Sequence, residues 1–327
     1  MSKVDISSYH EKALALHRRL TVVDGHADTL TLVVDEGHPF VTGGGAHHID
    51  LPRLRQAGMG IQTLTCWNEP EHIGLPAFAR AMEKIGAFYQ AQRQAGLRLV
   101  TERAHLDVPE LGFILSLEDA APCMGSIRHL EALYAIGVRM IGLTWNGRNE
   151  IADGVGVGAK PGGLTDVGRQ LVEHMQTLGI VVDLSHIAEI GFWDVLEVST
   201  KPVACSHSNA KAVHEHRRNL TDAQIKAIAD QGGVIGICFA PAFLSPDNPG
   251  IEDVIRHIDH MCEIAGPHVV GLGSDFDGIA NVPVGLEDVS KVPMLTAALL
   301  ARGYSEADLE LMLGGNWQRV FRANWTK

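Results

Sequence analysis

The chain has 327 residues, 46% of them hydrophobic and 20% charged, the balance of a globular protein able to bury a sizeable core. Its formal charge of -12 sets it against a broad nucleic-acid footprint, which needs clustered Lys and Arg in excess of nearby acids. Five widely spaced cysteines, Cys66, Cys123, Cys205, Cys238 and Cys262, read as reduced residues and exclude a disulfide framework, while seventeen histidines direct attention to metal or acid–base chemistry.

Residues 1–20 run from polar to amphipathic without the apolar core of a secretory signal, and no apolar run reaches membrane-spanning length; a cytoplasmic location without a membrane partner is expected. The run LTVVDGHAD (20–28) then reads as a first strand, with His26 and Asp28, two apart, projecting together from its end. A second apolar run (60–67) precedes a segment of helical period (74–94), and a third (111–119) ends in Glu118. The fourth (138–146) closes on Trp145 and Asn146, followed by a glycine-rich loop (154–163) and a helical segment (165–178). A fifth run (179–186) ends in His186 and a sixth (202–208) contains His207. Thr221 with Gln224 forms a capping box for a helix that stops near Gly232; strand 233–239, helix 251–265 and strand 268–276, which carries Asp275, come next. Ser305 with Asp308 marks one more helix start.

Apolar strands alternating with helices imply a parallel sheet covered on both faces. Eight such units point to a (β/α)8 barrel, with residues 1–327 as a single domain. An open doubly wound sheet is the alternative, but the first strand has no GxGxxG loop, so dinucleotide binding has no support. In a barrel, strand C-termini converge on one rim, which would gather His26, Asp28, Glu118, His186, His207 and Asp275. Three imidazoles and three carboxylates suit zinc or a similar ion. Taken singly, each has a plainer reading: a core histidine bonded to backbone, a helix cap at Glu118, turn formers at Asp275 and Asp277. Those readings give no reason for six ionisable groups to stop at the same end of alternating elements. His47, His48, His174, His214, His216, His257 and His260 are placed on loops or helix faces, in solvent.

The ordered set VDGHAD, SLED, VDLSH, ACSHSNA, HRRN and GLGSDFDG, closing with GGNWQRVF (314–321), resembles the renal or membrane dipeptidase family, binuclear zinc peptidases on amidohydrolase-like barrels, in its bacterial branch. The resemblance implies that His26 and Asp28 bind one zinc, that His186 and His207 bind a second, and that Glu118 bridges both. It also implies that Asp275 handles protons and that Arg218 holds the substrate carboxylate. A hydroxide shared by the two cations would be the nucleophile, and Arg218 would clamp its carboxylate in a bidentate fork. Family members often pair as homodimers. Two departures stand out: where better-known members read Thr-His after the fourth strand this chain has Trp145 and Asn146, leaving the indole N–H, the amide or the metal to serve the oxyanion. The seventh strand ends in CFAPAF, where some relatives carry a tyrosine.

The expectation is therefore a metal-dependent dipeptidase acting on dipeptides with a free C-terminal carboxylate, L,L and L,D. The alternatives are another amidohydrolase-type reaction, on an N-acyl amino acid or a β-lactam, and a non-catalytic metal-bound barrel serving as a binding module in a biosynthetic pathway.

Overall fold

The computed structural model describes residues 6–326. Nine strands form one sheet: β1 (Val22–Asp24), β2 (Met59–Trp67), β3 (Arg98–Leu99), β4 (Gly112–Glu118), β5 (Val138–Gly142), β6 (Val181–Asp183), β7 (Ala204–Cys205), β8 (Val234–Ile237) and β9 (Val270–Leu272). All pairings are parallel; β2 pairs directly with β4, and β9 returns to β1 through Asp24 and Leu272, so eight strands close into a barrel. The ninth, β3, is a two-residue strand alongside the start of β4, in a stretch where the hydropathy pattern marks no strand. Except at Trp67, every residue of the eight barrel strands is buried, as expected where side chains on one face fill the barrel and those on the other meet helices.

The predicted helices lie where their period places them, over Leu75–Ala95, Asp166–Leu178 and Ile251–Ala265. Both capping boxes form: Thr221 accepts from the Gln224 N–H at the start of Asp222–Asp230, and Ser305 from the Asp308 N–H at the start of Glu306–Glu310. Among the described residues no helix is long and apolar enough to cross a membrane.

One inward residue from each of seven strands, Val23, Ile61, Ile114, Met140, Val181, Ala204 and Val234, forms a cluster inside the barrel. Its floor is the helix Asn316–Asn324, which brings up Trp317 and Phe321, with Trp325 just beyond it; these rings stack at centroid distances of 5.5 and 5.0 Å. Trp317 donates its indole N–H to the Leu272 carbonyl (2.8 Å). It lies so close to Gly25 that a Cβ there would fall 2.0 Å from the ring, which is why glycine follows the first strand. With one end floored in this way, the other is free to carry polar groups.

Apart from β2, the strands are shorter than their apolar runs. β1 ends at Asp24, so His26 and Asp28 stand on the segment beyond it. That segment is held by Asp24, which accepts from the Ser274 hydroxyl (2.6 Å) and N–H (2.9 Å) and from the His26 N–H (3.3 Å), and by a bridge from Ala27 to Phe276. His257 also departs from expectation. It is fully buried, taking the Ala210 N–H on Nδ1 (3.1 Å) and bonding the Leu244 carbonyl through Nε2 (3.1 Å), because its helix turns that face inward.

Candidate metal centre and substrate pocket

The C-terminal end of the barrel brings six predicted residues together. Glu118 is the last residue of β4; His26 and Asp28 follow β1, His186 follows β6, His207 follows β7 and Asp275 follows β9. All six are at most 8% exposed. Glu118 turns one oxygen to each side: Oε2 lies 3.5 Å from His26 Nε2, which is 3.4 Å from Asp28 Oδ2, while Oε1 lies 2.8 Å from His186 Nε2 and 3.6 Å from His207 Nε2. His186 and His207 bring their Nε2 atoms to 2.9 Å. Two sets of ligand-type atoms thus share one carboxylate: His26, Asp28 and Glu118, and Glu118, His186 and His207.

The donor set fits a divalent cation pair by an independent observation. His26 Nε2 and Asp28 Oδ1 are buried and have no hydrogen-bond partner, a costly state for polar atoms unless something else satisfies them. A third group, His26, Asp183 and His207, also lies close enough for a metal, but the Ser206 hydroxyl occupies its centre, bonded to all three side chains.

The electrostatics follow from burying like and unlike charges together. Burial pulls the His26 imidazole down, but Glu118 and then Asp28 outweigh it and hold its pKa well above the usual value. Glu118, although buried, is driven well below the ordinary carboxylate range by His26 and His186. Burial drives His186 down to about 4, with Arg218 adding to it, and pushes His207 well below its usual value. Asp28 is raised to about 6 by burial and Glu118, and Asp275 to about 7 by burial, with the His26 cation opposing and Asp28 and Glu118 adding. Such divergent shifts within one mouth mark a functional site.

The two aspartates of DFDG take separate parts. Asp277 is consumed as a tie, accepting from the Thr29 hydroxyl (2.7 Å) and the His48 N–H (2.7 Å) while its own N–H donates to His48 Nδ1 (2.9 Å). Asp275 instead keeps Oδ1 toward His26 (3.9 Å) and turns Oδ2 to the Cys238 thiol, whose sulfur is 3.6 Å away. Asp119, His186, Asp275 and Asp277 all have positive φ, 84°, 71°, 63° and 66°, so the backbone around the mouth is held in a conformation L-residues disfavour.

A pocket of about 570 Å³ opens above the cluster, with Trp67, Trp145, Arg217, Arg218 and Phe243 among its walls. Arg218 is 5% exposed; its Nη2 donates to the His207 carbonyl (3.1 Å), the guanidinium lies 5.4 Å from the Phe243 ring centroid, and its buried Nε has no partner. Trp145 packs edge to face on Trp67 at 5.5 Å. Asn146 spends its amide oxygen on His186 Nδ1 (3.0 Å). The pattern of strand ends does not reveal Ser206, Asp183 or Gly278. For Gly278 the signal lay in the last letter of DFDG: a Cβ there would stand 2.2 Å from Asp28 Oδ2 and 2.7 Å from Asp275 Oδ1.

A closed parallel barrel whose C-terminal mouth gathers imidazoles and carboxylates around a shared glutamate defines a metal-dependent hydrolase architecture. A sequence profile of membrane dipeptidases (peptidase family M19) matches residues 10–326. The chain is 41% identical over 226 residues to an uncharacterized protein from the pqqA 5′ region of Klebsiella pneumoniae, covering 66% of this chain and 83% of that one. A metallopeptidase from Rhodobacter sphaeroides, solved with a phosphinate mimic of the dipeptide L-Ala-D-Ala, superposes with a TM-score of 0.87 at 29% identity, covering 94% of this chain and 99% of that one. The metallopeptidase dipeptidase AC gives a TM-score of 0.87 at 30% identity with the same coverage, 94% and 99%. The chain belongs to the membrane dipeptidase family, and it is a metal-dependent dipeptidase.

Proposed function

We propose that this dipeptidase works with two zinc ions, one held by His26 and Asp28, the other by His186 and His207, with Glu118 shared. The observation that carries this reading is the Glu118 carboxylate, whose two oxygens face separate ligand sets. When bound, such a pair of cations supplies an acidified water for attack and polarises the scissile carbonyl. The protein's own groups do the rest. Arg218, with an unpartnered Nε at the pocket wall, pairs with the free carboxylate of the dipeptide and fixes its register. Asp275, whose Oδ1 faces the cluster, takes a proton there and returns one to the leaving amine. Trp145 and Asn146 line the same pocket and contact the substrate; because Asn146 is engaged with His186, the Trp145 indole is the freer of the two.

Substrates of both L,L and L,D configuration fit this reading, supported by the L-Ala-D-Ala mimic held by the Rhodobacter sphaeroides relative. Residues 1–327 are read as one catalytic domain, supported by a family match that spans 10–326. Pairing into a homodimer is read from the family resemblance, and a cytoplasmic location is supported by five cysteines that are all free. The deciding experiment is a metal count on purified protein with a panel of L,L and L,D dipeptides and their amine-blocked and carboxylate-blocked analogues. Two zinc ions per chain, hydrolysis of free dipeptides and loss of activity on blocking the carboxylate are expected. Hydrolysis confined to N-acylated substrates would overturn the dipeptide assignment.

A further inference from the structure

Ser206 is fully buried, and its hydroxyl lies 2.6 Å from Asp183 Oδ2, 2.8 Å from His207 Nδ1 and 3.2 Å from His26 Nδ1, with Ser185 Oγ more distant at 3.4 Å. A hydroxyl has one proton and two lone pairs. Asp183 is an acceptor in every bond it makes here: its Oδ1 takes the Ser206 N–H (2.7 Å) and the Ser185 N–H (3.0 Å). The Ser206 proton goes to Asp183, the shortest contact the hydroxyl has. Its lone pairs are left for the two imidazoles, and each must then present Nδ1–H. A neutral imidazole with hydrogen on Nδ1 keeps its lone pair on Nε2. Those are the atoms of His26 and His207 that face Glu118. Thr65 Oγ1, 3.5 Å from His26 Nδ1, is a weaker contact and has its own bond to Ser116 (2.8 Å).

We propose that Asp183 and Ser206 form a tautomer lock, in which one hydroxyl, its proton committed to Asp183, aims the imidazole ligands of both cation positions at once. The inference rests on the two-cation reading above. Asp183 and Ser206 are positioning residues, since they act through His26 and His207. Without the hydroxyl, either imidazole is free to carry its hydrogen on Nε2, the form that cannot accept a cation. Ser206→Ala is therefore expected to weaken zinc binding at both positions, by about 10- to 100-fold, the usual cost of losing an outer-shell partner. Ser206→Thr, which keeps the hydroxyl, should restore most of it. Asp183→Asn has a different signature. The Ser185 and Ser206 N–H groups hold the amide oxygen, so the amide N–H faces Ser206, whose proton turns to one nearer imidazole in preference to Ser185 Oγ at 3.4 Å; one position weakens and the other does not.

The test uses long-range 1H–15N correlation of the histidines in 15N-labelled wild-type protein, with and without zinc, and zinc affinity by chelator competition for wild type and the three variants. Expected are Nδ1–H on His26 and His207 in the zinc-loaded protein, Nδ1–H on His207 in the metal-free protein, and the affinity pattern given above. Hydrogen on Nε2 of either residue in the zinc-loaded wild type overturns the lock, as does Ser206→Ala binding two zinc ions within about twofold of wild type. Should Ser206→Ala fail to fold, the wild-type spectra decide alone. Wild-type protein that takes up no zinc overturns the two-cation reading and this inference with it, whereas two zinc ions held equally by wild type and Ser206→Ala overturn only the lock.

Discussion

Single atoms decide most of what this mouth does. Gly278 has no room for a methyl group, since its Cβ would meet carboxylate oxygens of Asp28 and Asp275. Gly278→Ala is expected to cut turnover by about 100-fold or more, in line with an ångström-scale misplacement of reacting groups, with lowered zinc content and a metal-free melting temperature close to wild type. Asp275→Asn should keep both zinc ions and lose about 10²- to 10⁴-fold in kcat, the range for a general acid–base group; a variant with unchanged kcat would remove Asp275 from the mechanism. Away from the mouth, His17 is buried between the Ala57 carbonyl (2.7 Å) and Thr296 (2.8 Å), and burial lowers its pKa from 6.5 to about 4 against the opposing pull of that carbonyl. Its folded-state pKa is depressed, so the unfolded chain takes a proton that the folded chain refuses as pH falls below 6.5. Stability is full above that value and declines toward about pH 4, with a loss from this residue of about 2 kcal/mol by pH 5. Urea midpoints at pH 7.5 and 5 for wild type and His17→Gln check it: the variant should lose less on acidification. The six ionisable residues of the mouth were legible because each stands at or near the end of an apolar run. Asp183 and Ser206 were not, because nothing in a serine before a histidine announces which side chain its hydroxyl will serve.

Among the elements, the helices were easier to read than the strands. Thr221 and Gln224 predict a helix start and deliver it, with the side chain and backbone bonds of a full capping box. The helix Asp222–Asp230 begins directly after the loop that carries Arg218, so its cap anchors one end of that loop. Thr221→Ala should destabilise the protein by about 1 kcal/mol in denaturant melts, with kcat nearly unchanged. Most strands stop early because hydropathy continues past the ladder: Gly25, Ala27 and the serines beside the ligand residues are small and buried, and keep only single backbone bonds to their neighbours, such as the Gly25 N–H to the Leu272 carbonyl and the Thr65 N–H to the Ala27 carbonyl. Sequence context outranks local spelling here. The tripeptide Val-Val-Asp ends β1 and β6, yet residues 33–35, with the same letters, close a helix at Asp35. His257 shows the reverse problem, since a helical histidine bonded to two backbone groups outside its own helix carries no local mark of burial.

At the scale of the whole molecule, the alternation of eight apolar runs with helical segments was enough to give the barrel, since a parallel sheet with both faces covered has few ways to close. The floor of the barrel was not legible, because the helix Asn316–Asn324 reads as an ordinary amphipathic segment until its aromatic side is seen under Val23 and Val234. Trp317→Ala removes a fully buried ring from that floor and should cost about 3–5 kcal/mol, measured by urea unfolding.

The aromatic floor has a practical corollary for watching this protein at work. Of its five tryptophans, Trp317 and Trp325 sit at the base, Trp67 and Trp145 stand beside the entrance, and Trp193 is 39% exposed on the outside. Emission from the two ends therefore answers to different events, collapse of the interior at one and arrival of a ligand at the other. A chain with phenylalanine at 67, 145 and 193 would glow only from its foundations.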